Sequence, residues 1–384
     1  MKNIFQYIKK YKNKSFEEKE INNIDYLIFS SLSYVPFYHI FLEKTEDFTI
    51  QELSNLYFNN ITKKNNEKNI LAIRKSIEIF KQIGNSKRYG NLIVYNYVRI
   101  ANEYTQFCAL SLKLNKNTVF VSFEGTDELI ISWKEDFQMA HQFPISAQKY
   151  AIDYLKKYFK YKKVNLIVGG HSKGGNLALV SAMYSNYFIR KKIKKIFNYD
   201  GPGLRKKEIE SHNYKKIEDK LINIIPNYSF IGLLLRHKKN QLIVESYEKS
   251  ILAHDFTNWK INDDEFVYTE LSYVSRKFSV ASLIWLEKYN DKEREEFVNA
   301  LFDVCTRAKI NDLLDIKSEK IKCTFEIIKE IKNIDEKTSN MLKDFFKFMF
   351  KYYTSEIKLS IGNKFKKIVE KNSWKIIYIE KIRM

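Results

Sequence analysis

The chain has 384 residues, of which 45% are hydrophobic and 15% aromatic, and its formal net charge is +20. This apolar content excludes a disordered chain and is enough for one large core, with or without a helical appendage. Lysines are spread over nearly every segment and no nucleic-acid-binding motif is present, so we expect no nucleic-acid partner and at most a weak contact with anionic membranes.

The three cysteines, Cys108, Cys305 and Cys323, have neither paired nor metal-ligand spacing. We therefore expect reduced thiols, no metal site and no cofactor. No stretch approaches the roughly 18 apolar residues of a membrane span, and the first ten residues contain no long apolar run. We predict a cytoplasmic protein, and the sequence leaves its oligomeric state open.

The N-terminal part is predicted to be helical. An apolar helix opens at Ile24 and should end before Pro36, and Thr49–Glu52 fits a capping box. Helical spacing then runs from Asn69 to Ile83. We expect residues 1–85 to form a helical region packed on the core.

The central part alternates between strands and helices. Three strands form a predicted antiparallel edge, and the alternation that follows predicts a mostly parallel sheet, so residues 86–262 are expected to form an α/β core. The predicted strands are Leu92–Ile100, Thr105–Lys113, Thr118–Phe123, Val164–Val168, Ile193–Tyr199, Leu221–Ile225 and Gln241–Glu245, and the predicted helices are Ser146–Tyr161 and Asn176–Met183. Residues 263–384 are predicted to be a helical C-terminal extension, with helices over Phe266–Tyr289 and Asp291–Tyr353.

The most informative motif lies between the fourth strand and the helix after it. Gly170-His171-Ser172-Lys173-Gly174 fits G-x-S-x-G, the pattern of a nucleophile elbow. The sharp turn leaves no room for bulk two residues before and after the serine, which Gly170 and Gly174 satisfy. We predict Ser172 as a nucleophile; the alternative is a serine that only caps the helix.

A serine nucleophile needs a base, and in this motif class the base follows both the serine and the acid along the chain. That order leaves His212, His237 and His254. His254 follows the last predicted strand, where it can reach the carboxyl ends of the strands, whereas His237 lies in a basic turn and is expected to be solvated. We favour His254 as the base over a loop histidine that caps a helix.

Asp200 is the first candidate for the acid, because it falls at the carboxyl end of the strand after the elbow helix. Asp255 is adjacent to His254, and neighbouring side chains rarely form the required hydrogen bond to the imidazole. The alternative for Asp200 is a structural role in the turn Gly201-Pro202-Gly203.

Acyl transfer also needs hydrogen-bond donors for the developing oxyanion. One donor is predicted to be the backbone N–H of Lys173, the residue after the nucleophile. The other is expected from Gly125 and Thr126, in the loop after an earlier strand. The alternative is a simple turn with a helix cap at Asp127.

Several of these stretches together resemble the Mbeg1-like family of bacterial proteins, which is similar to the class 3 lipases of the α/β-hydrolase superfamily. The stretches are Phe123–Thr126, Ser132–Phe137, Gly170–Ala178 and Asp200–Gly203, and the resemblance extends through Ile24–Leu27, Leu32–Tyr34 and Ala253–Asp255.

The resemblance implies an α/β-hydrolase fold, a Ser-Asp-His triad and an oxyanion loop with Arg-Gly-Thr. Here that loop carries Glu124-Gly125-Thr126, which puts a negative charge near the oxyanion hole. The segment in which class 3 lipases carry their acid, Ile225–Gly232, holds no carboxylate. The role either passes to Asp200 or leaves a Ser-His dyad.

These observations predict a serine hydrolase, esterase-like or lipase-like, that cleaves a small-molecule or lipid acyl ester through Ser172, His254 and Asp200. The alternative is a catalytically weak or inactive pseudo-hydrolase that acts as a binding module, for example at anionic membranes. The missing acid and Glu124 favour the alternative, and the intact elbow with His254 opposes it.

Overall fold

The structure is a computed structural model of the chain. It describes residues 2–43, 46–60, 71–102, 105–126, 130–238, 241–307, 335–342 and 344–345. All structural statements below concern these residues.

Eight strands of the described chain form one sheet in which spatial order follows chain order. The strands are β1 (Phe48–Thr49), β2 (Ile93–Ala101), β3 (Gln106–Asn115), β4 (Thr118–Phe123), β5 (Asn165–His171), β6 (Ile193–Tyr199), β7 (Leu221–Pro226) and β8 (Leu242–Val244). Neighbours from β1 to β4 pair antiparallel, and those from β4 to β8 pair parallel. A short hairpin of β9 (Ile261–Asn262) and β10 (Glu265–Phe266) follows the sheet.

Helices cover both faces of the sheet. Five precede the parallel strands, namely α1 (Ile4–Tyr11), α2 (Asn23–Ser31), α3 (Tyr38–Glu43), α4 (Ile50–Asn60) and α5 (Leu71–Gly84). The remaining described helices are α6 (Ile130–Gln138), α7 (Ser146–Phe159), α8 (Lys173–Tyr184), α9 (Tyr187–Lys192), α10 (Lys206–Ile209), α11 (His212–Lys215), α12 (Tyr273–Lys288) and α13 (Asp291–Arg307). The α/β fold class predicted from the sequence, with a mostly parallel sheet in the core, is confirmed.

The N-terminal helices are joined to one face of the sheet by aromatic and charged contacts. Tyr26 on α2 stacks on Phe120 of β4 and Phe197 of β6, with ring centroids 5.8 Å and 4.6 Å away. In the same region of the chain, the fully buried guanidinium of Arg88 pairs with the fully buried carboxylate of Asp25 at 2.5 Å. A buried charge without its partner destabilises the fold, so this pair fixes α2 against the segment between α5 and β2 that carries Arg88.

Several sequence predictions match the observed elements. Thr118–Phe123 and Ile193–Tyr199 have the predicted bounds, and the helix that was expected to end before Pro36 does so. The capping box is present: Thr49 N donates to Glu52 Oε2 (2.8 Å) and Glu52 N donates to Thr49 Oγ1 (3.1 Å).

The prediction of a helix over Phe266–Tyr289 is wrong at its beginning. Phe266 pairs with Ile261 in the hairpin, and the helix starts only after Ser272, whose side chain accepts a hydrogen bond from Ser275 N. Of the helix predicted over Asp291–Tyr353, the structure describes residues up to Arg307 as α13; residues 308–334 and 346–353 lie outside the described part.

No helix among the described residues is long and apolar enough to cross a membrane.

Candidate active site

The G-x-S-x-G segment forms a sharp turn between β5 and α8. Ser172 has φ 56° and ψ −134°, a backbone conformation that L-residues rarely adopt. A Cβ at Gly170 would lie 2.4 Å from the backbone of Gly174, and one at Gly174 would lie 2.1 Å from the carbonyl oxygen of Phe123. Only glycine fits at both positions, so the sequence brings strand, turn and helix close enough to hold Ser172 in this strained conformation.

Asp200 occupies the equivalent position on the neighbouring strand. His171 and Tyr199 are register partners in β5 and β6, so Ser172 and Asp200 each follow their strand at the same edge of the sheet. Asp200 is fully buried and also has a positive φ, 49°. Its carboxylate therefore points out of a strand end beside the elbow rather than into a solvated turn.

The Asp200 carboxylate is held by three donors. Oδ2 lies 2.6 Å from His254 Nδ1, while Oδ1 accepts hydrogen bonds from Ser229 Oγ (2.5 Å) and Gly232 N (3.1 Å). Burial raises the pKa of Asp200, and the hydrogen bonds from His254, Ser229 and Gly232 oppose that rise. Because the carboxylate can only accept, His254 Nδ1 donates to Oδ2, and Nε2 takes no part in this contact.

His254 lies at the end of a short 3₁₀ helix, Ser250–His254, after the last parallel strand. The Trp259 indole donates to the carbonyl of Ala253 (2.9 Å), which holds this helix against the core. No hydrogen bond between His254 and the Ser172 hydroxyl is present in the described structure. In unliganded enzymes such contacts are often loose and tighten only when substrate binds.

His171 connects the elbow to the histidine loop and to the N-terminal helices. Its Nε2 lies 2.9 Å from the carbonyl oxygen of His254, and its Nδ1 lies 3.1 Å from the hydroxyl of Tyr34. Burial lowers the pKa of His171 far below its usual value, so the ring is neutral. Since a carbonyl can only accept, Nε2 carries the proton and Nδ1 accepts from Tyr34.

The loop that the sequence predicts as an oxyanion loop contacts the elbow directly. A Cβ at Gly125 would lie 3.0 Å from Ser172 Cβ and 2.5 Å from the carbonyl oxygen of His171. Thr126 donates through Oγ1 to Asp136 Oδ2 at 2.5 Å.

Lys173 is the first residue of α8, so its backbone N–H has no acceptor within the helix. The predicted elbow and oxyanion residues, Gly170, Gly174, Gly125, Thr126 and Lys173, are therefore grouped around Ser172. Asp127 lies outside the described residues.

The side chain of Lys173 points away from the solvent into a buried charge cluster. Its Nζ donates to Glu135 Oε2 (3.0 Å) and to the carbonyl of Gln106 (3.1 Å), and lies 3.9 Å from Asp136 Oδ1. Burial raises the pKa of Asp136 to about 6, against the opposing effect of the Lys173 ammonium. The cluster ties the first turn of the elbow helix to α6.

Glu124 does not leave an uncompensated charge at the oxyanion loop. Its Oε1 lies 3.6 Å from Arg99 Nη1 on β2, and the Glu124 side chain is buried. Where the lipase pattern has Arg-Gly-Thr, this chain has a glutamate in the loop and an arginine on a neighbouring strand. The expected negative charge near the hole is thus paired.

The other candidates are not part of this group. His212 is exposed at the start of α11, and Asp255 Oδ1 accepts from Thr257 N (2.9 Å) as a helix cap. The expectation that His237 is solvated is wrong: its Nε2 is buried, and burial lowers its pKa to about 4. In the described part of the chain, no three His, Cys, Asp or Glu side chains are grouped to hold a metal ion.

Sequence reasoning did not assign roles to three groups in and around the site. Tyr34 and the Glu135–Asp136 pair belong to the segments Leu32–Tyr34 and Ser132–Phe137 that carry the family resemblance, which is the signal that marks them. Arg99 has no such signal, because only the register of β2 brings it to Glu124.

Comparison with solved structures gives distant similarity to two lipases. The crystal structure of M37 lipase has 14% sequence identity and a TM-score of 0.33, covering 54% of this chain and 67% of that chain. The crystal structure of lipase from Rhizopus microsporus var. chinensis has 16% identity and a TM-score of 0.28, covering 61% of this chain and 86% of that chain. None of the curated proteins compared matches the chain.

The sequence also matches a family model directly. The Mbeg1-like model matches residues 83–303, more than half of the chain. This range contains the elbow, Asp200 and His254, and it confirms the resemblance stated from the motifs. The chain belongs to the Mbeg1-like family.

Proposed function

We propose that the chain is a serine hydrolase that cleaves an acyl ester, with Ser172 as nucleophile, His254 as base and Asp200 as acid. The observation that carries this proposal is the 2.6 Å contact between His254 Nδ1 and Asp200 Oδ2 beside a serine with φ 56°. A strained serine at the same edge of the sheet as a histidine paired with a buried carboxylate is the arrangement that nucleophilic acyl transfer needs.

In the proposed reaction, His254 Nε2 accepts the proton of the Ser172 hydroxyl while Oγ attacks the ester carbonyl carbon. The resulting oxyanion receives hydrogen bonds from the backbone N–H groups of Lys173 and Thr126, and the positive end of the α8 dipole adds to the stabilisation. The alcohol leaves with the proton from His254. Water then attacks the acyl-serine with His254 again as base, and the acid is released.

The roles of Asp200 and His171 in this reaction are orientation rather than proton transfer. Asp200 fixes His254 in the tautomer with Nδ1–H and stabilises the imidazolium that forms. His171, neutral and hydrogen-bonded to the His254 carbonyl, holds the loop that carries the base. We further propose that residues 1–85, 86–262 and 263–384 act as a supporting helical region, the catalytic core and a helical extension.

The test is labelling with a fluorophosphonate probe, which reacts only with an activated serine. The wild-type protein is expected to be labelled, and Ser172→Ala is expected not to be. Ser181→Ala is the matched control, because Ser181 is buried in α8, the helix that follows Ser172, and its hydroxyl bonds only to the Ala178 carbonyl (3.0 Å). A folded wild-type protein that resists labelling would favour the binding-module alternative.

A further inference from the structure

An apolar cavity of about 90 Å³ lies between α6, the loop before β8 and the two C-terminal helices α12 and α13. Its walls are mostly aromatic and aliphatic, with Phe137 from α6 and Phe278, Trp285 and Phe297 from α12 and α13. The C-terminal extension therefore forms one side of a cavity whose other side belongs to the core.

The cavity adjoins the proposed catalytic group at two points. Asp136 belongs to its wall and accepts the hydrogen bond from Thr126 in the oxyanion loop. Pro202, another wall residue, follows Asp200 by two positions, and its carbonyl accepts from Asn176 in the elbow helix (3.2 Å). Through Asp136 and Pro202 the cavity borders the two segments that carry the predicted oxyanion loop and the proposed acid.

A few polar atoms interrupt the apolar wall. The indole N–H groups of Trp133 and Trp285 and the Oδ1 atom of Asp136 are buried, and none has a hydrogen-bond partner among the described residues. A mostly apolar wall with a few polar groups is the usual lining of a small-molecule site.

The size of the cavity limits what it can hold. The volume of about 90 Å³ is smaller than the roughly 150 Å³ of an apolar cavity that holds one benzene molecule. An acyl group of a few carbons therefore matches this cavity better than a long chain does.

We propose that this cavity is the acyl pocket and that it makes the protein an esterase for short acyl chains, with the C-terminal helices as the wall that limits chain length. The inference rests on the proposed function, since it assigns the substrate class of that same site. The proposal predicts that long-chain lipid esters are poor substrates for this protein.

The first test measures kcat/KM for p-nitrophenyl acetate, butyrate, octanoate and laurate. The wild-type protein should prefer butyrate to laurate. Ser282→Phe, on the cavity wall of α12, should lower kcat/KM for butyrate by about tenfold or more while acetate changes little, because methylenes in a pocket discriminate by this amount. Leu286→Ala enlarges the pocket and should move the preference towards octanoate.

Val280→Phe is the control, because Val280 lies on the same helix and is 57% exposed. It adds the same ring on the solvent side and should leave the chain-length profile unchanged. A wild-type preference for laurate, or a profile that neither Ser282→Phe nor Leu286→Ala shifts, would overturn the pocket while leaving the hydrolase intact.

The second test does not depend on turnover. Ser172→Ala protein is titrated with methyl butyrate and methyl laurate while tryptophan fluorescence is followed, since Trp133 and Trp285 line the cavity. Methyl butyrate should change the signal, and Ser282→Phe in the same background should abolish that change. Equal responses in both backgrounds would contradict the pocket. Absence of both fluorophosphonate labelling and turnover in the wild-type protein would instead contradict the proposed function.

Discussion

The Nδ1 atom of His254 lies 2.6 Å from Oδ2 of Asp200, although the two residues are 54 positions apart in the chain. Asp200 Oδ1 is engaged at the same time by Ser229 and Gly232, so the carboxylate cannot rotate away from the imidazole without losing two further hydrogen bonds. The arrangement fixes the orientation of the histidine before any substrate binds.

Asp200→Asn is expected to lower kcat for p-nitrophenyl butyrate by about 10³–10⁴, because an amide no longer selects the Nδ1–H tautomer of His254. Asp255→Asn is the matched control, since Asp255 only caps the helix Phe256–Asn258. Its effect should be within about threefold. Small and equal effects of the two substitutions would point to a Ser-His dyad.

Ser172→Gly should be more stable than Ser172→Ala by about 1 kcal/mol, because glycine adopts φ 56° without strain. At Ser181, inside the helix that follows Ser172, the order should reverse, and the glycine variant should be the less stable by about 1 kcal/mol. Urea unfolding of the four variants measures both differences. The same order at both positions would show that the turn stores no strain.

Lys173→Met is expected to lower the free energy of unfolding by about 3–5 kcal/mol, because it leaves Glu135 buried without its cation. Lys157→Met, at an exposed position on α7, should change it by less than about 0.5 kcal/mol. The backbone N–H at position 173 is retained, so the fraction of Lys173→Met that folds should still react with fluorophosphonate. A fully folded variant that cannot be labelled would assign the side chain a role in catalysis.

Asp136 should make stability depend on pH. Its folded-state pKa is about 6, above the ordinary 3.8, so the folded protein binds the proton more tightly than the unfolded chain. Stability from this group is therefore present at low pH and falls by about 2–3 kcal/mol as pH rises from about 4 to about 6.5. Asp136→Asn removes this pH-dependent contribution to the free energy of unfolding.

The measurement is the difference in unfolding free energy between Asp136→Asn and wild type across pH 4–8. The difference should grow in favour of the variant up to about pH 6.5 and then stay constant. Val280→Phe, at an exposed position on α12, changes no titratable group; it is the control and should give a difference that does not vary with pH. A difference that shrinks with rising pH would mean that Lys173 holds the Asp136 carboxylate ionised.

Local patterns carried most of the information on the fold. Thr118–Phe123 and Ile193–Tyr199 are largely apolar segments that contain β-branched and aromatic residues. Each lies next to a turn or the end of a helix, so the sequence predicts where these two strands begin and end. Phe266 looked like part of a helix because the helical pattern after it begins close by. Its pairing with Ile261 depends on a turn at Asp263, which has φ 58°.

The sequence predicts those residues of the candidate site that a motif or their order along the chain identifies. It does not predict ion pairs between residues on elements that are far apart in the chain. Ser172, His254 and Asp200 follow from the motif and from positions after strands. The pairing of Arg99 with Glu124 depends on strand register, and the ion pair of Lys173 with Glu135 depends on how α6 packs. Neither relationship has a signature in sequence spacing.

The hydrogen bond from Tyr34 to His171 joins the N-terminal helices to the segment that matches the family model. The family match begins at residue 83, beyond Tyr34, Tyr26 and Asp25. A fragment expressed from residue 83 would lack the acceptor for Arg88, the aromatic cover of β4 and β6, and the hydroxyl that donates to His171 Nδ1. The N-terminal helices and the strands behind them therefore depend on each other for their packing, and a stable fragment has to include both.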